Sequence, residues 1–282
     1  MDSCTHKLYH VHGFDSRKLL EDYLSDKPDM VFGDDSLVFP IENLLKTFTV
    51  GHIKGDILVD ISLGSMIHHL YSACEFFNHM IVLKVQDRCI LELKRWVDTR
   101  TGAFQWEHAE QLHAEIEGNS DESQDKNIKV RSALQHVLKC DLEKENITDP
   151  IDLPPADCII SCGLLDVISK DQDDYVRYIR KFSKLLKPGG HLLFVGMLEA
   201  TYITVGKDKM HVFTYDEDIA RKVLVGEGFV IDRCEVKTRT NMSDLIDYKA
   251  AIFMAAHKAN ADPDPNVVKS IVCSGPRTET ST

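Results

Sequence analysis

The sequence predicts an α/β fold: a mostly parallel sheet with an antiparallel edge strand, helices on both faces and an N-terminal helical cap. Three observations carry this. Short apolar runs alternate with helix-like runs through the middle of the chain, the rhythm of a parallel sheet joined by crossover helices. Two late strand-like runs, 229–237 and 247–256, are too close for a crossover helix, so they pair antiparallel at the sheet edge. Residues 1–46 carry helix-like patterns only and should cap the sheet.

Taken in order, 56–61 is an apolar run closed by a polar turn and reads as the first strand, and 66–77 as a helix. Residues 80–83 form the second strand, 87–98 the next helix and 157–161 the third strand. The stretch 171–186 is a long amphipathic helix with Tyr175, Ile179, Phe182 and Leu186 on one stripe. It stops at Lys187-Pro188-Gly189-Gly190, where Pro and Gly together end a helix. The fourth strand is 191–195, and a last helix near 216–227 precedes the antiparallel pair. The core therefore runs over 47–258, with a hairpin inserted at 201–214 around Gly206-Lys207-Asp208-Lys209. Residues 118–127 read as a polar loop. The stretch 259–282, with Asp262-Pro263-Asp264-Pro265, reads as a disordered tail.

Composition narrows the class. A chain of 282 residues can bury one sizeable core without disulfides or metals. The formal charge of −12 gives no general pull toward nucleic acid or anionic membranes, although a local basic patch stays open. The eight cysteines, Cys4, Cys74, Cys89, Cys140, Cys158, Cys162, Cys234 and Cys273, are scattered singly, without C-x-x-C or zinc spacing. They read as free, mostly buried thiols of a reducing compartment. His68-His69 and the His10, His12 pair lack a third ligand at useful spacing, so no metal site is expected. The N-terminus lacks the layout of a signal peptide, and no apolar run approaches the roughly 20 residues of a membrane span. The expected location is cytoplasmic.

A set of spaced motifs carries a family resemblance. Leu185-Leu186-Lys187-Pro188-Gly189-Gly190 before an apolar strand is common across class I (Rossmann-like) methyltransferases. More specific are Lys54-Gly55-Asp56-Ile57-Leu58-Val59-Asp60-Ile61, Tyr71-Ser72-Ala73-Cys74-Glu75, Gly102-Ala103-Phe104-Gln105-Trp106, Val137-Leu138-Lys139-Cys140-Asp141 and Leu153-Pro154-Pro155-Ala156-Asp157-Cys158. In order and spacing they resemble the nicotinamide, phenylethanolamine and indolethylamine N-methyltransferases over roughly residues 10–257. The resemblance implies the class I methyltransferase fold and S-adenosylmethionine as methyl donor, lying across the carboxyl ends of the strands.

The implied cofactor residues are Asp60, Ser62, Leu63, Gly64, His68, Lys84, Cys89, Asp141, Leu142 and Cys162, and several depart from the family. The family's first strand ends in Asp-x-Gly-x-Gly. Asp60 and Gly64 match, but Ser62 replaces the first glycine, adding a side chain at a place expected to need positive φ. His68 stands for a tyrosine, and Cys89 for a polar amide. Lys84 replaces the acid that accepts hydrogen bonds from both ribose hydroxyls, and a lysine has donors only. Asp87 matches an acidic family position and is the candidate substitute. Asp141-Leu142 keeps the acid-plus-apolar pair that holds adenine, and Cys162 replaces a threonine near the cofactor.

On the acceptor side the implied cleft residues are Leu19, Leu24, Asp166, Gly196, Ala200 and Val212. Leu19 and Leu24 replace tyrosines at the cleft mouth. Gly196, Ala200 and Val212 stand where nicotinamide enzymes place an acid and small hydroxyl residues, whereas Asp166 matches a family acid. Glu199, Thr201 and Tyr202 are nearby candidates, Glu199 reading first as a solvated charge. The family's reaction is direct displacement of the sulfonium methyl by a neutral nitrogen, which needs orientation and no catalytic nucleophile. Two readings stay open. One is an active S-adenosylmethionine-dependent N-methyltransferase with an altered small-amine or pyridine-like acceptor. The other is a non-catalytic relative kept for binding or structure, without that cofactor. The clustering of Ser62, Lys84, Leu19, Leu24 and Gly196 in one cleft favours the second. A small-molecule ligand fits either, and no protein partner is indicated.

Overall fold

The structure, a computed structural model, describes residues 6–51, 53–118 and 125–259. The cap comprises α1 (Tyr9–His12), α2 (Ser16–Tyr23), a single π-helical turn (Asp34–Val38) and α3 (Phe39–Gly51). The rest runs β1 (Gly55–Asp60), β2 (Phe77–Lys84), α4 (Asp87–Val97), α5 (Glu107–Glu117), α6 (Lys126–Ala133), β3 (Leu134–Lys139), β4 (Ala156–Cys162), α7 (Leu164–Ile168), α8 (Gln172–Leu185), β5 (Leu186–Leu198), β6 (Tyr202–Val205), β7 (Asp208–His211), α9 (Glu217–Gly226), β8 (Phe229–Thr238) and β9 (Ala250–Lys258).

Seven strands form one sheet in the order β3-β2-β1-β4-β5-β9-β8. The pairs from β3 to β5 are parallel, and β9 runs antiparallel to both β5 and β8. Leu58 and Val59, Val82 and Leu83, and Ile159 and Ile160 are all buried. Successive strand residues face opposite sides, so these strands are covered on both. Several helix starts are fixed by carboxylates accepting from free backbone N–H groups: Asp15 for α2, Asp171 for α8 and Asp216 for α9. β6 and β7 make the expected hairpin.

Some segments differ from the sequence pattern. Residues 66–77 are not one helix. Only His68–Leu70 forms a 3₁₀ turn, followed by further turns into β2. Ile67, Leu70, Tyr71 and Ala73 are all fully buried, so the segment is enclosed all round and has no single helical stripe. Lys187-Pro188-Gly189-Gly190 ends α8 but lies within β5 as a bulge: Ala156 pairs with Leu186, and Cys158 already with His191. Of the polar loop at 118–127, Lys126 and Asn127 begin α6, capped by Asp125, while 119–124 lie outside the described residues. The tail from 260 also lies outside them. α5, α6 and β3 are additions, β3 being a half-exposed edge strand with weak alternation.

Candidate functional site

The carboxyl ends of β1, β2 and β4 meet in one corner, and its centre is a buried polar network in which His69 Nδ1 has no hydrogen-bond partner. Lys84, the last residue of β2, is 1 % exposed. Its ammonium donates to the Ser62 carbonyl at 3.0 Å and to Asp60 Oδ2 at 3.3 Å. Asp60 Oδ1 accepts from the Ser62 hydroxyl at 2.6 Å and lies 2.7 Å from His69 Nε2. Ser62 Oγ in turn accepts from the Cys162 amide at 2.9 Å. Burial alone would raise the Asp60 carboxyl, but Lys84, His69 and Ser62 outweigh it and hold it below the usual carboxylate range.

The N-terminal cap closes over this corner. Tyr9 is 1 % exposed, with its hydroxyl 3.6 Å from Cys89 Sγ and its carbonyl accepting from Gln86 Nε2 at 3.0 Å. Ser16 Oγ lies 2.7 Å from Ser65 Oγ, which ties the start of α2 to the loop after β1. Leu19 packs on Gly64 so closely that a Cβ there would stand 2.5 Å from Leu19 Cδ2. Gly64 also carries the loop's positive φ, 59°. That corrects the expectation for Ser62: its backbone does not take positive φ, so its side chain causes no such strain and instead bridges Asp60 to the Cys162 amide.

The other implied cofactor residues are spread around this centre. Leu63 is buried, its amide donating to the Cys162 carbonyl. Cys162 is buried, and burial pushes its thiol far up. Asp141 is exposed beyond β3, its carboxylate accepting from the Glu143 amide, and Leu142 beside it is buried. Asp87 is 70 % exposed and pairs with Lys139 at 3.0 Å, so it does not replace the missing acceptor in the corner. These residues do not fit the ribose of S-adenosylmethionine. The group at the end of β2 can only donate and is bonded to Asp60 and Ser62, while Leu19 lies against Gly64 and Tyr9 against Cys89.

The acceptor side is built differently. Gly196 on β5 faces Asp166 of α7 and Tyr215. A Cβ on Gly196 would stand 2.1 Å from the Tyr215 hydroxyl and 3.0 Å from Asp166 Oδ1. Asp166 accepts from the Tyr215 hydroxyl at 2.9 Å and from the Met197 amide at 2.8 Å. Burial pushes its carboxyl up to about 7, against the downward pull of those two bonds. Next to Gly196 lies an apolar cavity of about 110 Å³, lined among others by Leu19, Leu24, Leu63, His68, Cys162 and Gly196. Ala200 and Val212 do not line it. They are buried packing residues, the Val212 amide donating to the Thr201 carbonyl. Glu199 pairs with Lys249 at 2.6 Å on the surface, and Thr201 and Tyr202 donate their amides to Asp247.

Tyr9, His69 and Tyr215 complete the two halves, and nothing local in the sequence marks Tyr9 or Tyr215. They come from 80 residues before Cys89 and 49 after Asp166, so only folding brings them in. His69 was visible as half of a histidine pair. Among the described residues no group of three His, Cys, Asp or Glu is placed to hold a metal ion, and no helix is long and apolar enough to cross a membrane.

The sheet order and a site at the carboxyl ends of its parallel strands define a protein of the class I methyltransferase fold. Magnesium protoporphyrin IX methyltransferase from Synechocystis PCC 6803, with bound SAM, matches it with a TM-score of 0.54 at 12 % identity, over 89 % of this chain and 93 % of that one. The [4+2]-cyclase SpnF matches with a TM-score of 0.51 at 14 % identity, over 85 % and 87 %. These likenesses concern the fold alone, which a methyltransferase and a cyclase share, so activity is read from the site. The chain belongs to the NNMT/PNMT/TEMT family, whose model matches residues 3–259. Nicotinamide N-methyltransferase of Homo sapiens is 30 % identical over 254 residues, 90 % of this chain and 96 % of its own length. Indolethylamine N-methyltransferase of Oryctolagus cuniculus is 31 % identical over 224 residues, 79 % of this chain and 85 % of its own.

Proposed function

We propose that this member of the family has lost, or keeps only a remnant of, S-adenosylmethionine-dependent methyl transfer, and acts by binding a small molecule. The observation that supports it is Lys84: a buried ammonium, bonded to Asp60 and Ser62, at the strand end where an acceptor for two ribose hydroxyls is implied. Loss of such charged hydrogen bonds weakens binding by a few kcal/mol, on the order of a hundredfold. Covering of the corner by Tyr9 and Leu19 adds to that. The relatives, by their names, methylate nitrogen on small molecules. The apolar cavity of about 110 Å³ beside Gly196 supports a small-molecule ligand. Among the described residues Cys74, Cys89, Cys140, Cys158, Cys162 and Cys234 are unpaired, which supports a reducing, cytoplasmic setting.

Calorimetry with S-adenosylmethionine and with its demethylated product tests this. The expected result is no heat at millimolar ligand, and micromolar binding of either would overturn the proposal. The second reading, an active N-methyltransferase for a small amine or pyridine-like acceptor, is favoured by Asp141-Leu142, an exposed acid beside a buried apolar residue just past β3. Micromolar cofactor binding with transfer of a labelled methyl group would establish it.

A further inference from the structure

We infer that residues 265–274 of this chain seat as a helix in an apolar groove at the amino ends of β1, β2 and β3, covering a face of the sheet that its own crossover leaves open. The inference is independent of the Lys84 corner and of whether a cofactor binds.

The groove follows from the order of the strands. The connections from β1 to β2 and from β2 to β3 step toward one edge of the sheet, and those from β3 to β4 and from β4 to β5 step back. With right-handed crossovers the two sets lie on opposite faces. α4 and α6, from the first set, pack on β2 and β3, and α8, from the second, packs on β5. Cover for the other face of β1, β2 and β3 falls to the β3–β4 connection, but residues 140–155 contain no helix. Ile57 and His79 are register partners, as are Ile81 and His136, and these four share one face with Leu138. With Ile151, Leu153 and Pro154 of the connection they line a groove of about 390 Å³. Val59 and Leu83, farther along the same face, are buried, whereas Ile57 and Leu138 are half-buried and Ile151 is 44 % exposed.

The chain leaves the sheet close by and on the right side. His257, at the end of β9, lies in one row across the sheet with His191, Cys158, Leu58 and Met80. From β9 to β1 is three strands and to β2 four, about 14–19 Å at about 4.8 Å a strand. From Lys258 to Pro265 an extended chain spans up to about 23 Å. Ala256 pairs with Leu192, Leu192 with Ile159 and Ile159 with Val59, so Lys258, two residues past Ala256, leaves on the groove's own face. Its ammonium donates to the Ser183 carbonyl of α8 at 2.9 Å, the helix that covers that face at β5.

The stretch past Ala259 is not uniformly polar. Asp264-Pro265 is a helix-start pair, a capping carboxylate before a proline suited to the first helical position, and Gly275-Pro276 is a stop. Between them Val267, Val268, Ile271 and Val272 fall on one stripe at helical spacing, and Lys269, Ser270 and Cys273 fall on the other side. A helix this short is marginal alone in water, and its β-branched residues lower its propensity further. Such a stripe forms a helix only against an apolar wall. The groove is that wall: it is apolar, it is within reach of the same chain, and the chain emerges on its face.

Hydrogen exchange of the full chain, read by mass spectrometry, tests this. Amides of 267–273 should exchange at least about tenfold more slowly than those of a free peptide of the same sequence. In full-length Ile271→Asp that protection should vanish, and exchange at 151–153 and in β3 should quicken at least about twofold, with no change around Lys84. Ile151→Asp, at an exposed wall of the groove, should release the same segment from the other side. If Ile151→Asp does not fold, the native chain and Ile271→Asp decide between them. Exchange of 267–273 at the rate of the free peptide overturns the inference. So does protection that survives Ile271→Asp. Protection that rises with protein concentration would put the segment on a second copy of the chain, and that outcome also overturns the inference.

Discussion

The two halves of the cleft have been filled in opposite ways. Around Lys84 the protein supplies its own partners: Asp60 accepts from Ser62 and Lys84 with His69 alongside, and Tyr9 and Leu19 cover the corner. Around His68 apolar walls leave a cavity, and His68 Nδ1 is buried without a hydrogen-bond partner. A corner built to hold a ligand's ribose must keep polar groups unsatisfied until the ligand arrives. In this corner Asp60, Ser62 and Lys84 are answered internally, which stabilises the fold, whereas His69 Nδ1 is buried without a hydrogen-bond partner.

The largest expected effect lies on the closed side. Lys84→Ala strips the buried Asp60 of its ammonium and leaves a hole, so it should destabilise near the top of the about 3–5 kcal/mol range for breaking a buried ion pair. Urea unfolding measures it, and a loss below about 1 kcal/mol would mean that the corner is not the buried network described.

Next comes Asp166. Its carboxyl titrates near 7 in the folded protein, above its ordinary value of 3.8. The folded state therefore holds the proton more tightly than the unfolded one. That contribution is complete below about pH 4, fades as pH rises and is gone above pH 7. It amounts to something on the order of 4 kcal/mol. Asp166→Asn should remove this fall, so that the stability difference between variant and native chain swings in the variant's favour from pH 4 to pH 8. A difference independent of pH would sink the assignment.

The smallest effect tests the open side. Gly196→Ala pushes a methyl group to 2.1 Å from the Tyr215 hydroxyl and should destabilise by about 1–3 kcal/mol. Adding Tyr215→Phe should recover part of that loss, because it removes the clashing oxygen. Fully additive losses in the thermal midpoints of the two single variants and the double variant would show that the two positions do not touch.

Much of the fold was legible. Runs such as Ile57-Leu58-Val59 and Cys158-Ile159-Ile160 mark strands buried on both faces, and the short spacing between the last two strands forces them antiparallel. β3 and the turns after Gly64 were not, because an edge strand alternates weakly and a segment enclosed on every side has no periodic stripe. In the site, the departures at Ser62 and Lys84 were visible as residue types, and their consequence was not. Ser62 reads as an obstacle but serves as a bridge, and Asp87 reads as a substitute acceptor but pairs with Lys139 on the surface.

The sequence by itself determined the family frame and where it is altered, because local pattern and residue chemistry are properties of neighbours along the chain. Only the tertiary structure decided that Lys84 turns inward to Asp60, that Tyr9 covers the same corner and that His68 is left facing a cavity. Those outcomes depend on which distant groups desolvate one another, and burial decides what an unanswered charge or polar atom costs.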